Sequence, residues 1–215
     1  MAISTLEVGD FAVCCYIVGA DPLAAGGEPA PAAVVDPGAE AGLISETLRR
    51  LGLRLDAILL THAHGDHIGG IAELLAAWPE AVFLCSEETS RRASDPRLNL
   101  SVSLGRPIAA PPASRFLADG EEFAAAGMRW RAVEIPGHDP GELAYILGDG
   151  EALFSGDTVF AGSVGRSDFP GGDGHALIDG VRRLLSTLDP GTSIFPGHGP
   201  PTTAGEELAD NPFLA

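Results

Sequence analysis

Lysine is missing altogether. All 13 basic residues of this 215-residue sequence are arginines, set against 30 acidic residues. The formal net charge of -17 excludes nucleic acid and anionic membrane as general partners, because a polyanion would be repelled. An anionic substrate would have to be held by a few local arginines or by a metal. Cysteine is scarce as well. Cys14, Cys15 and Cys85 are odd in number and two are adjacent in an apolar run, so they form no disulfide framework and read as buried strand thiols. No apolar run approaches the roughly 20 residues that cross a bilayer. The opening MAISTLEVGDFAVCCYIVGA has no early positive charge, and Glu7 and Asp10 precede its apolar stretch, which is a strand pattern and not a signal peptide. A cytoplasmic location is expected. A Gly-x-Ser-x-Gly elbow is also lacking, which removes the usual α/β-hydrolase nucleophile.

What is present has the makings of one folded unit, residues 1–215. Hydrophobic residues make up 45% and charged residues 20%, an ordinary globular balance. No linker, repeat or low-complexity segment divides the chain, and the Gly/Pro/Ala-rich stretch 19–33 reads as a long hairpin loop. Strand-like runs occur at 11–18, 32–36, 56–60, 81–85, 129–135, 143–147, 152–155 and 193–196. Helical patterns fit 39–52, 68–78 (stopped by Pro79) and 175–188, with a turn at 148–151. Several adjacent strands lack a crossover helix, so the pattern fits an α/β sandwich better than a uniform βαβ array.

Histidine is rare, six in all, yet three fall within THAHGDHIGG at 61–70. Four strand-like runs each end in a short Gly-containing turn carrying His or Asp. The turn after 56–60 supplies His62, His64, Asp66 and His67. Those after 129–135, 152–155 and 193–196 supply His138, Asp157 and His198. Side chains at neighbouring strand ends converge, and imidazole with carboxylate is the ligand set of zinc, manganese or iron. His62 and His64, two apart, point the same way from an extended segment, and Asp66 and His67 face a second position. Seven ligands exceed one tetrahedral ion and suit two ions sharing a bridge. Taken singly, Asp66 reads as a helix cap and Asp157 as a turn residue, but chance does not gather five of six histidines in such turns. His175 opens a helical segment outside the cluster and reads as structural or solvent-facing. Asp36, before Pro-Gly, is explained by an ordinary turn or by a hydrogen bond to a metal-bound histidine.

In that order, THAHGDHIGG, PGHDPG, SGDTVF and FPGHGP resemble the metallo-β-lactamase superfamily, over nearly the whole chain. The resemblance implies an αββα sandwich, two mixed sheets flanked by helices, with a dinuclear metal site at one edge. It implies that His62, His64 and His138 bind one metal, that Asp66, His67 and His198 bind the other, and that Asp157 bridges them. β-Lactamases of the superfamily usually have Cys or Ser at the position of Asp157. The stretches GDTVFAGSVGRSDFPGGD and GHGPPTTAGEELADNPFL resemble short bacterial glyoxalase II-like enzymes, the hydroxyacylglutathione hydrolases. Larger glyoxalase II enzymes add a C-terminal helical domain and a lysine that grip glutathione. This sequence ends soon after His198 and has no lysine, so thioester hydrolysis is implied more directly than glutathione specificity.

The expected activity is therefore hydrolysis of a small thioester of the S-lactoylglutathione type. Two divalent ions, zinc first with iron or manganese as alternatives, would hold a bridging water and lower its pKa toward about 7. Asp66, a ligand with a spare oxygen, would orient that hydroxide or relay its proton. Arg166, in the Gly-rich loop after Asp157, is the candidate for binding a substrate carboxylate, with an ion pair to Asp168 as the other reading. Arg91, Arg92, Arg97, Arg106 and Arg115 read as a solvated basic face. Three alternatives stay open: a lactonase with the same ligands, a single-iron persulfide dioxygenase resembled in the GRSDF loop, and a silent metal-binding module. Whether chains pair is left open.

Overall fold

Every residue of the strand VCCYIVG is buried, because its two faces meet two different layers. Cys15 and Ile17 enter one hydrophobic cluster while Cys14, Tyr16 and Val18 enter another, the sorting that a period of two imposes. The structure is a computed structural model and describes residues 1–19, 28–103 and 105–215. The first sheet contains β1 (Ala2–Val8), β2 (Val13–Gly19), β3 (Ala30–Val35), β4 (Leu53–Leu59), β5 (Val82–Cys85) and β6 (Arg115–Phe116), paired in that order. Its first two pairings are antiparallel and the other three parallel. The second sheet contains β7 (Glu122–Ala125), β8 (Met128–Glu134), β9 (Leu143–Leu147) and β10 (Ala152–Gly156). A ribbon of β11 (Val159–Phe160) and β12 (Ser163–Val164) follows, before β13 (Ser193–Pro196) and β14 (Thr202–Thr203) complete the sheet in the order β14-β13-β10-β9-β8-β7.

Between the sheets, Tyr16, Val35, Leu59 and Leu84 pack on Phe123, Trp130, Tyr145 and Phe154. Helices cover both outer faces. Ile44 and Leu48 of α1 (Ala41–Arg50) lie on the first sheet. The short α2 (Gly65–Ile68) leads to α3 (Ile71–Ala77), whose Ile71 and Leu74 join them there. After α4 (Glu87–Ala93), the longest helix, α5 (Gly174–Leu185), sets Leu177, Val181, Leu184 and Leu185 on Ile135, Ala144, Ile146 and Leu153 of the second sheet. The last helix is α6 (Ala204–Asp210). This is the expected αββα sandwich, with two mixed sheets flanked by helices. Among the described residues no helix is long and apolar enough to cross a membrane.

Several boundaries differ from the sequence expectation. The helix expected over 68–78 is two helices, and the first starts at Gly65, so Gly69 and Gly70 are the joint between them. The Gly70 N–H donates to the Pro37 carbonyl at 2.7 Å, and a Cβ there would lie 2.7 Å from the same oxygen. Only glycine lets the joint sit that close to the strand end. The strand expected from Phe11 begins at Val13, because Gly9 and Ala12 adopt positive φ in a turn. β2 and β3 are antiparallel neighbours as a hairpin requires, while residues 20–27 of the expected loop lie outside the described residues. Strands β1, β6, β7, β11, β12 and β14 and helices α4 and α6 lie outside the sequence expectation. Helix α5 ends at Leu185, and the Asp173 carboxylate caps it by accepting the N–H groups of His175 and Ala176.

Candidate metal centre

Strands β4, β8, β10 and β13 all deliver their loops to one edge of the sandwich. The sequence has two tyrosines, and both pin a strand end there. Tyr145 Oη donates to the Leu60 carbonyl at 2.8 Å and Tyr16 Oη to the Pro196 carbonyl at 2.6 Å. Each buried phenol fixes the backbone two residues ahead of a histidine, His62 in one case and His198 in the other. Rigid strand ends of this kind suit a site that needs sub-ångström geometry.

All seven expected residues come together. His62, His64 and His138 form one group with ligand atoms within 4.8 Å of one another, and Asp66, His67 and His198 form a second. His64 Nδ1 lies 2.9 Å from His138 Nε2. Asp157 stands between the groups. Its Oδ2 is 3.5 Å from His138 Nε2, 3.6 Å from His198 Nε2 and 4.0 Å from His62 Nε2, while Oδ1 is 3.5 Å from His67 Nε2. Asp66 Oδ2 is 3.4 Å from His198 Nε2. His175 is exposed on α5, outside the cluster. The three cysteines are free, buried thiols.

The outward nitrogens explain why the inward ones face the centre. His138 Nδ1 donates to the Arg166 carbonyl at 2.8 Å and His198 Nδ1 to the Phe11 carbonyl at 3.1 Å. A carbonyl only accepts, so each imidazole carries a proton on Nδ1 and turns Nε2 inward. His67 Nδ1 meets Asp36 Oδ2 at 3.1 Å, and His62 Nδ1 meets Thr61 Oγ1 at 3.0 Å. The Thr61 hydroxyl donates onward to Asp36 Oδ2 at 2.7 Å, so Asp36 supports two histidines rather than serving only as a turn. His64 is reversed: Nδ1 faces inward and Nε2 lies 3.9 Å from Asp139 Oδ1.

The residues fit a metal on two grounds. His62 Nε2, His67 Nε2 and Asp157 Oδ1 are buried without a hydrogen-bond partner, an arrangement that costs about 1–3 kcal/mol per group unless something binds there. The donor set, imidazole nitrogen with carboxylate oxygen, is that of borderline divalent ions. Protonation divides the groups. Burial lowers His62, His64 and His138, His64 to about 3, so all three are neutral. Burial also works against a charge on His67, yet Asp157, Asp66 and Asp36 together push it up to about 10. Burial likewise opposes a charge on His198, which is nonetheless raised by its bond to Asp66 and by Asp157. Burial would raise Asp66, but His67 and His198 hold it well below the usual carboxylate range.

Sequence reasoning missed three supporting residues. Glu142 is fully buried, accepts the Asp157 N–H at 2.9 Å, and is pushed well up by burial and by Asp157. Asp139 accepts the Ala63 N–H and pairs with Arg92 at 2.7 Å. Arg92 is therefore no part of a solvated face: its side chain is 8% exposed, beneath the centre. The only signal was position, since Asp139 and Glu142 follow His138 directly in HDPGE. Arg166, at the rim, gives its fork to Asp168 at 2.7 and 2.8 Å and lies 4.2 Å over the Phe169 ring. Above the centre is a cleft of 730 Å³ walled by Phe11, Leu100, Phe160, Phe169 and Pro170.

Comparison with known proteins agrees with this geometry. The family model for the metallo-β-lactamase superfamily matches residues 11–198. The chain is 35% identical over 184 residues to the hydroxyacylglutathione hydrolase GloC of Haemophilus influenzae, covering 85% of this chain and 87% of that one. It superposes on the crystal structure of BLEG-1 B3 metallo-β-lactamase with a TM-score of 0.92 at 32% identity, covering 100% of both. With TTHA1623, solved in a di-iron-bound form, the TM-score is 0.83 at 35% identity, covering 98% of this chain and 100% of that one. Fold, family model and relatives agree, and the chain belongs to the metallo-β-lactamase superfamily.

Proposed function

We propose that the protein is a metal-dependent thioester hydrolase of the glyoxalase II type. The observation that carries this reading is the convergence of five imidazoles and Asp66 around one shared carboxylate, Asp157, with the inward atoms of His62, His67 and Asp157 left without a hydrogen-bond partner. The likeness to GloC supports the thioester class. His62, His64 and His138 would hold one divalent ion, and Asp66, His67 and His198 a second, with Asp157 reaching both. Zinc is the first choice, and the di-iron form of TTHA1623 makes iron the next to test. When bound, the ions would polarise the acyl carbonyl and lower the pKa of a water held between them.

The chain's own groups perform the rest. The carbonyl acceptors fix the rings of His138 and His198, so both Nε2 atoms are aimed at the centre before any ligand arrives. Asp66 stays ionised and is partly exposed in the lining of the cleft, where its carboxylate is placed to accept a hydrogen bond from the attacking water and orient it. The apolar walls exclude bulk water from the acyl group. Arg166 gives Nε and Nη2 to Asp168, which leaves Nη1 to meet a substrate carboxylate.

The test is hydrolysis of S-lactoylglutathione beside an acyl-homoserine lactone, after metal quantification. Thioester turnover that a chelator removes is expected. One iron per chain, with oxygen consumed on glutathione persulfide, would overturn the hydrolase in favour of a dioxygenase. The full-length likeness to BLEG-1 favours one second reading, β-lactam hydrolysis, so a penicillin and a cephalosporin belong in the same panel.

A further inference from the structure

We infer that the cleft selects an uncharged substrate with an apolar, ring-bearing acyl group, in preference to a glutathione conjugate. This rests on the thioester hydrolase reading above and deepens it. Two aromatic rings stand at opposite ends of the metal centre. Phe169 lies 5.1 Å from the His64 ring and 6.0 Å from the His138 ring, and Phe160 lies 6.3 Å from the His198 ring. Both rings line the same cleft as these histidines, so a flat group seated over the histidines has an aromatic ring to pack on. Phe11 is 53% exposed at the cleft mouth, an apolar surface left open to solvent. Leu100 completes the wall with φ 63°, a left-handed backbone that leucine rarely adopts, so this loop is strained while it presents an apolar side chain to the cleft.

Charge points the same way. Glutathione carries two carboxylates and one ammonium at neutral pH and needs cations to meet them. Among the described lining residues Arg166 is the one arginine, and Asp168 already offsets its charge through Nε and Nη2. Arg106, in the adjoining cleft, is paired with Asp10 at 2.9 Å. The sequence has no lysine, and its net charge of -17 repels an anionic thiol. An apolar acyl group, by contrast, gains from every wall it touches. The reaction needs no further reagent. Water oxygen bonds to the acyl carbon, the carbon–sulfur bond breaks, one water proton ends on the thiol sulfur, and the other leaves as the acid ionises.

The experiment crosses two acyl groups with two thiols: phenylacetyl and lactoyl thioesters, each of N-acetylcysteamine and of glutathione, on the metal-loaded full chain. The phenylacetyl ester of N-acetylcysteamine is expected to exceed S-lactoylglutathione in kcat/KM by at least about tenfold, the scale of burying a ring in apolar walls. Phe169→Ala and Phe160→Ala are expected to narrow that ratio. Higher kcat/KM for the glutathione esters would overturn the inference and leave the hydrolase reading intact. If no thioester is hydrolysed, calorimetric titration with the ketone isosteres, sulfur replaced by methylene, decides. Tighter binding of the uncharged phenyl isostere then supports the inference while the hydrolase reading falls. Equal or weaker binding overturns both.

Discussion

Among the described residues, Asp157 is the one carboxylate that faces four inward histidine nitrogens at once. Replacing it by Ala should lower kcat/KM by more than about 100-fold, beyond the 10–100-fold typical of residues that merely orient ligands. Metal analysis after dialysis should show fewer ions per chain, and near-normal activity with full metal would end the shared-carboxylate model. Close packing makes a second position as sensitive. A Cβ at Gly197 would run into Asp157 Oδ1 and lie 2.8 Å from His67 Cε1. Gly197→Ala should therefore weaken metal binding even though it adds one methyl and removes no ligand, and unchanged affinity by competition with a chelator would refute this. Arg92 belongs to a third class. Its partner Asp139 is 1% exposed, so Arg92→Leu strands a buried charge and should cost about 3–5 kcal/mol in urea unfolding. A loss below about 1 kcal/mol would mean that Asp139 takes up a proton at little cost. These residues also mark what the sequence could disclose. The seven ligands were legible because they cluster in Gly-rich strand ends. Arg92, Asp139 and Glu142 were not, because charge alone says surface, and only packing beneath the histidines makes them interior.

At the scale of elements, legibility followed hydrophobic period. Strands β2, β4, β9 and β10 are buried along most or all of their length and were found from composition alone. Helix α4, EETSRRA, was not, since the faces it buries are Thr89, Ser90 and Arg92 with a single alanine, a pattern no apolar stripe announces. Strand β1 is an edge strand with mostly exposed or half-buried residues, so its alternation is faint. The joint at Gly69-Gly70 reads as helix in the sequence because glycine there breaks the helix only through its approach to Pro37 and Gly38, which lie more than 30 residues away. The strand ends invite an experiment of their own. Tyr145→Phe keeps the ring in the core but leaves the Leu60 carbonyl without the phenol's hydrogen bond. About 1–3 kcal/mol of stability should be lost, with metal affinity falling alongside it as the loop to His62 loosens. Loss of stability with unaltered metal affinity would show that the phenol serves the core alone.

For the whole molecule, the two histidine groups sit at one edge of a strongly acidic protein but in opposite protonation states. His62, His64 and His138 are held neutral by burial. His67 is kept protonated up to about 10 by three carboxylates despite its burial, and His198 is raised as well. A cation entering between Asp66, His67 and His198 must displace the His67 proton, whereas His62, His64 and His138, being neutral, release no net proton to one entering between them. The sign follows directly. Lowering the pH strengthens the protons' hold on the second position, so its affinity should fall by about tenfold per pH unit for each proton released, between pH 9 and 6. The first position should be nearly level over the same range. Titrating metal-free protein with zinc against a competing chelator at pH 6, 7 and 8 measures both steps. Half-occupied protein should accumulate at pH 6 and vanish at pH 8, and Asp66→Asn, which removes one of the carboxylates holding the His67 proton, should reduce the slope of the second step. Parallel pH dependence for the two steps would show that the carboxylates do not hold those protons.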